Sequence, residues 1–285
     1  MPRRYVVVIV ALVLLGAGLF FPFVQKVREA AARMNCHSHF KGWALALHNY
    51  ADGAPPRIRE GKPMCNAFPA GTIPNPALPP EQRLSWWVVV LPYLEHDDVF
   101  KQFDLSRGPG DPKNEMPVSR RFRHLVCPTS GEYTRGNSEH WKSPTPLTHY
   151  VGVAGVGADA AILPPGHPKA GVFGYDRRTG ISDDFLDGLS NALLLIETAR
   201  DPGHWAFGGP ATVRGLEPST APYIGPGQQF GGFHNGGPVL VGSRTHTCTV
   251  ALADGSVRSL TNATAPEVLE ALATVAGKEE LPANW

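Results

Sequence analysis

The sequence predicts an α+β fold in which one long N-terminal helix lies on a mainly antiparallel β-sheet with long loops. Three observations carry that prediction. Residues 5–52 read as a single helix, stopped by Asp52-Gly53 ahead of Pro55-Pro56. Short apolar runs bounded by turn residues follow, the last two flanking Ala253-Asp254-Gly255. Helix first and strands afterwards is the order of an α+β domain, whereas a parallel sheet would need the two to alternate.

The helix has two halves. Tyr5 to Val24, YVVVIVALVLLGAGLFFPFV, contains no charged residue, and about 20 such residues at 1.5 Å rise cover the hydrocarbon core of a bilayer. A cleaved signal peptide has a shorter apolar core and a small-residue cleavage pattern, which LFFPFVQKV lacks. The span Tyr5, Pro22, Val24 is therefore expected to be a single-pass membrane anchor. Residues 1–24 form the cytoplasmic tip and transmembrane segment, and 25–285 form one extracytoplasmic domain that shares the rest of the helix. In that second half Phe40, Ala44, Leu47 and Ala51 recur at helical spacing and should face the domain, leaving Lys26, Arg28, Glu29 and Arg33 in water.

Further along, residues 54–83 are rich in proline, lack a sustained period and read as loop. Trp86 to Phe103 regains helical spacing and should bend at Pro92. Phe122–Cys127, His149–Val156, Gly171–Tyr175 and Ala192–Glu197 read as strands, the last being the best buried. Residues 181–189 read as a short helix or turn. Thr247–Leu252 and Ser256–Thr261 make a hairpin, and Thr264–Ala276 makes a terminal amphipathic helix with Pro266 in its first turn.

Composition narrows the function classes. The formal net charge is +1, so no global field collects nucleic acid, and none is expected as a partner. With 31 Gly and 28 Pro, the chain is loop-rich but below the level that signals disorder. The run Gly152-Val-Ala-Gly155-Val-Gly157 lacks the dinucleotide-binding spacing and reads as a strand with close backbone approach. No G-x-S-x-G and no H-E-x-x-H occurs, so two hydrolase classes lose their signatures. Cys36, His37 and His39 lie within one helical turn, with His48 nine residues beyond His39, but the first three do not share one helix face and no i, i+4 pair occurs among them, which argues against a metal site there. The four cysteines Cys36, Cys65, Cys127 and Cys248 allow three pairings and show no C-x-x-C spacing. They read either as two bridges or as four buried thiols.

Several blocks carry a family resemblance: VQKVREAAARM with Cys36 and ALALHNY, WWVVVLPYLE, LVCPTS, YVGVAG, GVFGYDRRTGISDDFLDGLSNALLLIET, and a histidine ahead of ADGSVRSL. In that order they resemble the pilin-like proteins abundant in planctomycetes, in which a prepilin-type helix is fused to a domain of unknown function. The resemblance implies a pilin-like architecture related to pseudopilins, with type II secretion-like partners. It favours a Cys36–Cys127 disulfide and leaves Cys65 to Cys248. It also implies a histidine separated by nine intervening residues from the Asp-Gly pair. Here nineteen residues separate His234 from Asp254 and seven separate His246 from it, so an insertion around 242–245 makes His234-Asn-Gly-Gly the matching block. His234, His246 and Asp254 are the candidate ligands for calcium or zinc, against the plainer reading of Asp254 as a turn residue.

Prepilins keep a glutamate near the start of the helix, and counting back from Pro22 places Tyr5 there and Met1 at the mature start. An unprocessed, stationary anchor is the expectation. The function expected is that of a membrane-anchored structural or interaction protein, without catalytic residues or a cofactor. Its partners would be the lipid bilayer and other pilin-like or secretion-system proteins. The place expected is the inner membrane, with the N-terminus cytoplasmic and the domain periplasmic. The alternative is a periplasmic carbohydrate-type binding module or a hydrolase, using Trp86-Trp87, His140-Trp141 and His204-Trp205 as stacking faces.

Overall fold

Helix-favouring Ala, Leu, Lys, Arg and Glu continue directly from the apolar run, so nothing divides the first helix. In the computed structural model α1 runs from Arg3 to Gly53, about 75 Å at 1.5 Å per residue. The structure describes residues 3–59, 62–64, 66–130, 143–231, 233–235, 245–279 and 281–282.

The two halves of α1 meet different surroundings. Every described side chain from Arg4 to Arg28 is exposed, among them Leu12, Leu15, Phe20, Phe21 and Phe23. From Ala32 onward one stripe is buried: Ala32, Cys36, Phe40, Ala44, Leu47 and Ala51, joined by Trp43. Among the described residues no helix is long and apolar enough to cross a membrane; several side chains of the run 5–24, Pro22 included, lie outside the described residues.

Ten strands follow. β1 (Arg57–Arg59) and β2 (Lys62–Met64) pair in a small hairpin, where the proline-rich text had suggested only loop. β3 (Leu147–Thr148) pairs with β6 (Gly203–His204). The main sheet takes β4 (Tyr150–Val156), β5 (Leu193–Glu197), β7 (Val213–Leu216), β8 (His234–Asn235), β9 (His246–Leu252) and β10 (Val257–Thr261). Its order is β10-β9-β5-β4-β7, with β8 also on β9. Only the β4–β7 pair within it is parallel, so the sheet is mixed and mainly antiparallel.

Alternation along the strands sends side chains to two cores. On one face α1 brings Phe40, Trp43 and Leu47 against Trp86, Trp87, Tyr150 and Leu195. On the other face α5 (Pro266–Ala273) covers Val151, Val153, Ile196, Cys248 and Val250 with Leu269 and Leu272. The α+β class, the long helix, the hairpin at Asp254-Gly255 and the terminal helix all agree with the sequence. Gly255 has φ 83° in that turn, and Ser256 N–H donates to Asp254 Oδ1 at 2.8 Å.

Four expectations are corrected. Trp86–Phe103 is not one bent helix: α2 (Trp86–Val90), a 3₁₀ turn at Leu91–Leu94 and α3 (Asp97–Phe100) succeed each other, and the break falls at Glu95, whose φ is 63°. A further short helix, α4, spans Glu115–Val118. Phe122–Cys127 forms a 3₁₀ turn at Arg123–Leu125 instead of a strand. Gly171–Tyr175 runs beside β4 without regular pairing, Gly171 and Phe173 N–H donating to Ala154 and Val153 O at 2.7 and 2.9 Å. The cause is the bulge in β4 at Gly155, whose φ of 121° lets Lys169 O approach to where a Cβ would sit. Finally, Trp86, Trp87 and Trp205 are core residues at 0% exposure, and residues 140–141 lie outside the described residues, so the described tryptophans offer no stacking face.

Candidate metal centre

Where the buried stripe of α1 reaches the end of the sheet, four elements converge. Cys36 enters from α1, one turn before Phe40. Cys127 follows the 3₁₀ turn at 123–125 and is fixed by its own N–H, which donates to His149 Nδ1 at 3.0 Å. Glu197 ends β5 two residues beyond Leu195 and so points to the same α1-facing side. His234 comes from β8, held on β9 opposite Thr247. One ligand atom from each of the four lies within 4.8 Å of all the others, and all four residues are buried.

The distances are short throughout. Cys36 Sγ and Cys127 Sγ are 3.6 Å apart, and His234 Nε2 lies 3.2 Å from the first and 3.4 Å from the second. Glu197 Oε1 is 3.9 Å from that same nitrogen. Its other oxygen accepts from Thr249 N–H at 3.3 Å, whereas Oε1 has no hydrogen-bond partner among the described residues. Around these atoms stands a second set: Tyr150 Oη 3.5 Å from Cys36 Sγ, Thr129 Oγ1 3.2 Å from Cys127 Sγ, and Glu29 Oε1 3.2 Å from His234 Nδ1.

Burial governs the protonation of the cluster. It pushes the Cys127 thiol up to about 12, with the hydrogen bond between Cys127 and Cys36 adding to the rise. It likewise pushes the Glu197 carboxyl well above the usual carboxylate range. For His234 burial lowers the pKa, but Cys127, Glu197 and Glu29 outweigh it and the net direction is up. Left to themselves these groups hold protons, so a buried Cys127 is not a ready thiolate nucleophile.

The expected Cys36–Cys127 disulfide is corrected: the two residues meet, but as thiols, since 3.6 Å far exceeds the roughly 2.05 Å of a bonded pair. The His234 nitrogen faces both sulfurs and holds them as corners of a larger cluster. Cys248 is a free buried thiol on the opposite face of the sheet, donating to Glu197 O at 3.2 Å, and Cys65 lies outside the described residues. Of the candidate metal ligands only His234 joins the cluster. His246 opens β9, its N–H donating to Asn262 Oδ1, and Asp254 is the turn residue of the β9–β10 hairpin. His37 and His48 bond Ser259 Oγ and Ala253 O and stay apart from Cys36, as their spacing predicts.

Sequence reasoning singled out Cys36, Cys127 and His234 but missed Glu197. The signal was present: a glutamate closing the run ALLLIE, otherwise apolar and destined for burial, demands a partner. Glu29, expected in water, is half-buried against His234.

The family model described as a protein of unknown function (DUF1559) matches residues 25–267. No curated protein and no solved structure matches the chain. With most of its length matched, the chain belongs to the DUF1559 family.

Proposed function

We propose, for this member of a family of unknown function, that the chain is a membrane-anchored structural or interaction protein of pilin-like architecture. Residues 5–24 of α1 span the inner membrane, and the α+β domain is displayed on its outer side without catalytic activity. One observation carries the reading: a single unbroken helix whose second half is domain core and whose first half holds Leu12, Leu15, Phe20, Phe21 and Phe23 exposed in a stretch without charge. Each such side chain favours an apolar surrounding by about 1.5–3 kcal/mol, and a bilayer supplies that surrounding along the whole run.

The lack of a catalytic role is supported by the burial of all four residues of the Cys36–Cys127–Glu197–His234 cluster. No carboxylate occurs between Tyr5 and Val24, so the pairing of a helix acid with a neighbour's amine has no acceptor in that stretch. A stationary anchor is therefore favoured over a filament subunit. Membrane fractionation tests the reading. Full-length protein should resist a high-salt wash and leave the membrane only in detergent, whereas Leu12→Arg with Leu15→Arg, each costing about 2.5–3.5 kcal/mol of insertion, should be released. Full-length wild-type protein in the soluble fraction after the salt wash would overturn it.

A further inference from the structure

We propose that Cys36, Cys127, Glu197 and His234 bind one zinc-class divalent cation, which fastens α1 to the sheet as a structural site. The inference does not depend on where residues 5–24 reside.

Geometry is the first support. A tetrahedral ion at the usual Zn–S, Zn–N and Zn–O lengths imposes ligand–ligand edges of about 3.4–3.8 Å. The observed S···S, S···N and N···O separations are 3.6, 3.2, 3.4 and 3.9 Å. Hydrogen bonding between thiols and an imidazole explains each pair separately, but not four donor atoms from four distant segments closing on one point.

The second support is Glu197 Oε1, an oxygen on a fully buried side chain, aimed into the cluster and without a hydrogen-bond partner among the described residues. A carboxyl oxygen left without a partner in a core is costly, and an ion accepts its lone pair. Third, the groups one step out are those a ligated metal requires. Glu29 sits on Nδ1 of His234 and fixes the ring to present Nε2. Tyr150 and Thr129 each place a hydroxyl beside one sulfur, where each can donate to a thiolate.

Two sulfurs and an imidazole select a thiophilic ion over calcium or magnesium. Four protein ligands, all buried, fill a tetrahedron and leave no position for water or substrate, which is the mark of a structural site. As the ion enters, the two thiols, the Glu197 carboxyl and Nε2 of His234 release their protons to solvent, leaving the imidazole neutral with Nδ1–H on Glu29. The resulting centre carries one net negative charge, balanced in part by the two hydroxyls and the Thr249 N–H.

The test uses the full chain in detergent, purified with reducing agent and loaded with Zn²⁺ or Co²⁺ alone. One equivalent of zinc per chain, and with cobalt the intense visible bands of tetrahedral coordination plus a sulfur-to-cobalt charge-transfer band, are the expected results. Cys36→Ser and Glu197→Gln should weaken binding at least 100-fold, and Glu29→Gln by about 10–100-fold. His246→Ala and Cys248→Ser should bind as the wild type does. Near-UV circular dichroism from the tryptophan core separates loss of ligand from loss of fold: a variant that keeps that signal and loses the cobalt bands supports the site. Substoichiometric metal with two free thiols, cobalt bands that survive Cys36→Ser, or a Cys36–Cys127 disulfide in protein isolated without reductant would each overturn it.

Discussion

His124 stacks on His96 at 5.4 Å and 11° and also touches Phe122, and its Nε2 is buried without a partner among the described residues. Burial, with smaller contributions from His96 and His39, lowers its pKa to about 4. The folded state therefore binds this proton less readily than the unfolded chain, where histidine titrates near 6.5. Stability from this residue is complete above about pH 6.5, falls as the pH drops towards 4, and changes no more below that. The full span is on the order of 3 kcal/mol. Urea unfolding between pH 7 and 4 should show this decline in the wild type and a shallower one in His124→Phe; equal slopes would contradict it. Glu197 poses the opposite case, an acid in a core, and its identity as a ligand was visible in the sequence only as an anomaly at the end of an apolar strand. His234 was legible through its family block, while its partners were not. Cys36 and Glu197 are far apart in the sequence, and only the packing of α1 on the main sheet makes them neighbours.

At the scale of elements, legibility followed length and continuity. α1, β4, β5 and the β9–β10 hairpin were all readable because their apolar periods are long or their turn residues are specific. Phe122–Cys127 and Gly171–Tyr175 misled because a strand exists only where a partner edge is free. The first segment folds into a 3₁₀ turn, and the second meets β4 where the bulge at Gly155 breaks the ladder. The tryptophans misled for a related reason: an aromatic beside polar residues looks exposed until the element that covers it is known. Here that element is α1. Trp43 lies with its ring centroid 4.4 Å from Tyr150, 5.2 Å from Phe40 and 5.5 Å from Trp87. Trp43→Ala should cost about 3–5 kcal/mol in denaturant unfolding. Leu45→Ala, on the wet side of the same helix, should cost under about 0.5 kcal/mol. Similar losses for the two would mean that α1 does not pack as described.

Over the whole molecule, α1 is shared between two environments, and the order of exposed and buried residues along it assigns each. Below Arg28 it touches no described part of the domain. From Ala32 to Ala51 it forms one wall of the core, and at the junction Glu29 and Cys36 bring the helix to His234 and the four-residue cluster. The cluster thus sits where a pull on the exposed first half of α1, the proposed anchor, would first strain the domain. The most direct measurement of the central claim is side-chain accessibility along α1 in the full chain reconstituted into liposomes, with a nitroxide amino acid at position 15 or at position 45. The label at 15 should collide with dissolved oxygen and be shielded from a water-soluble nickel or chromium relaxant, and the label at 45 should show the reverse. Equal access of the water-soluble relaxant to both positions would contradict the claim that one helix is lipid-embedded in its first half and domain core in its second.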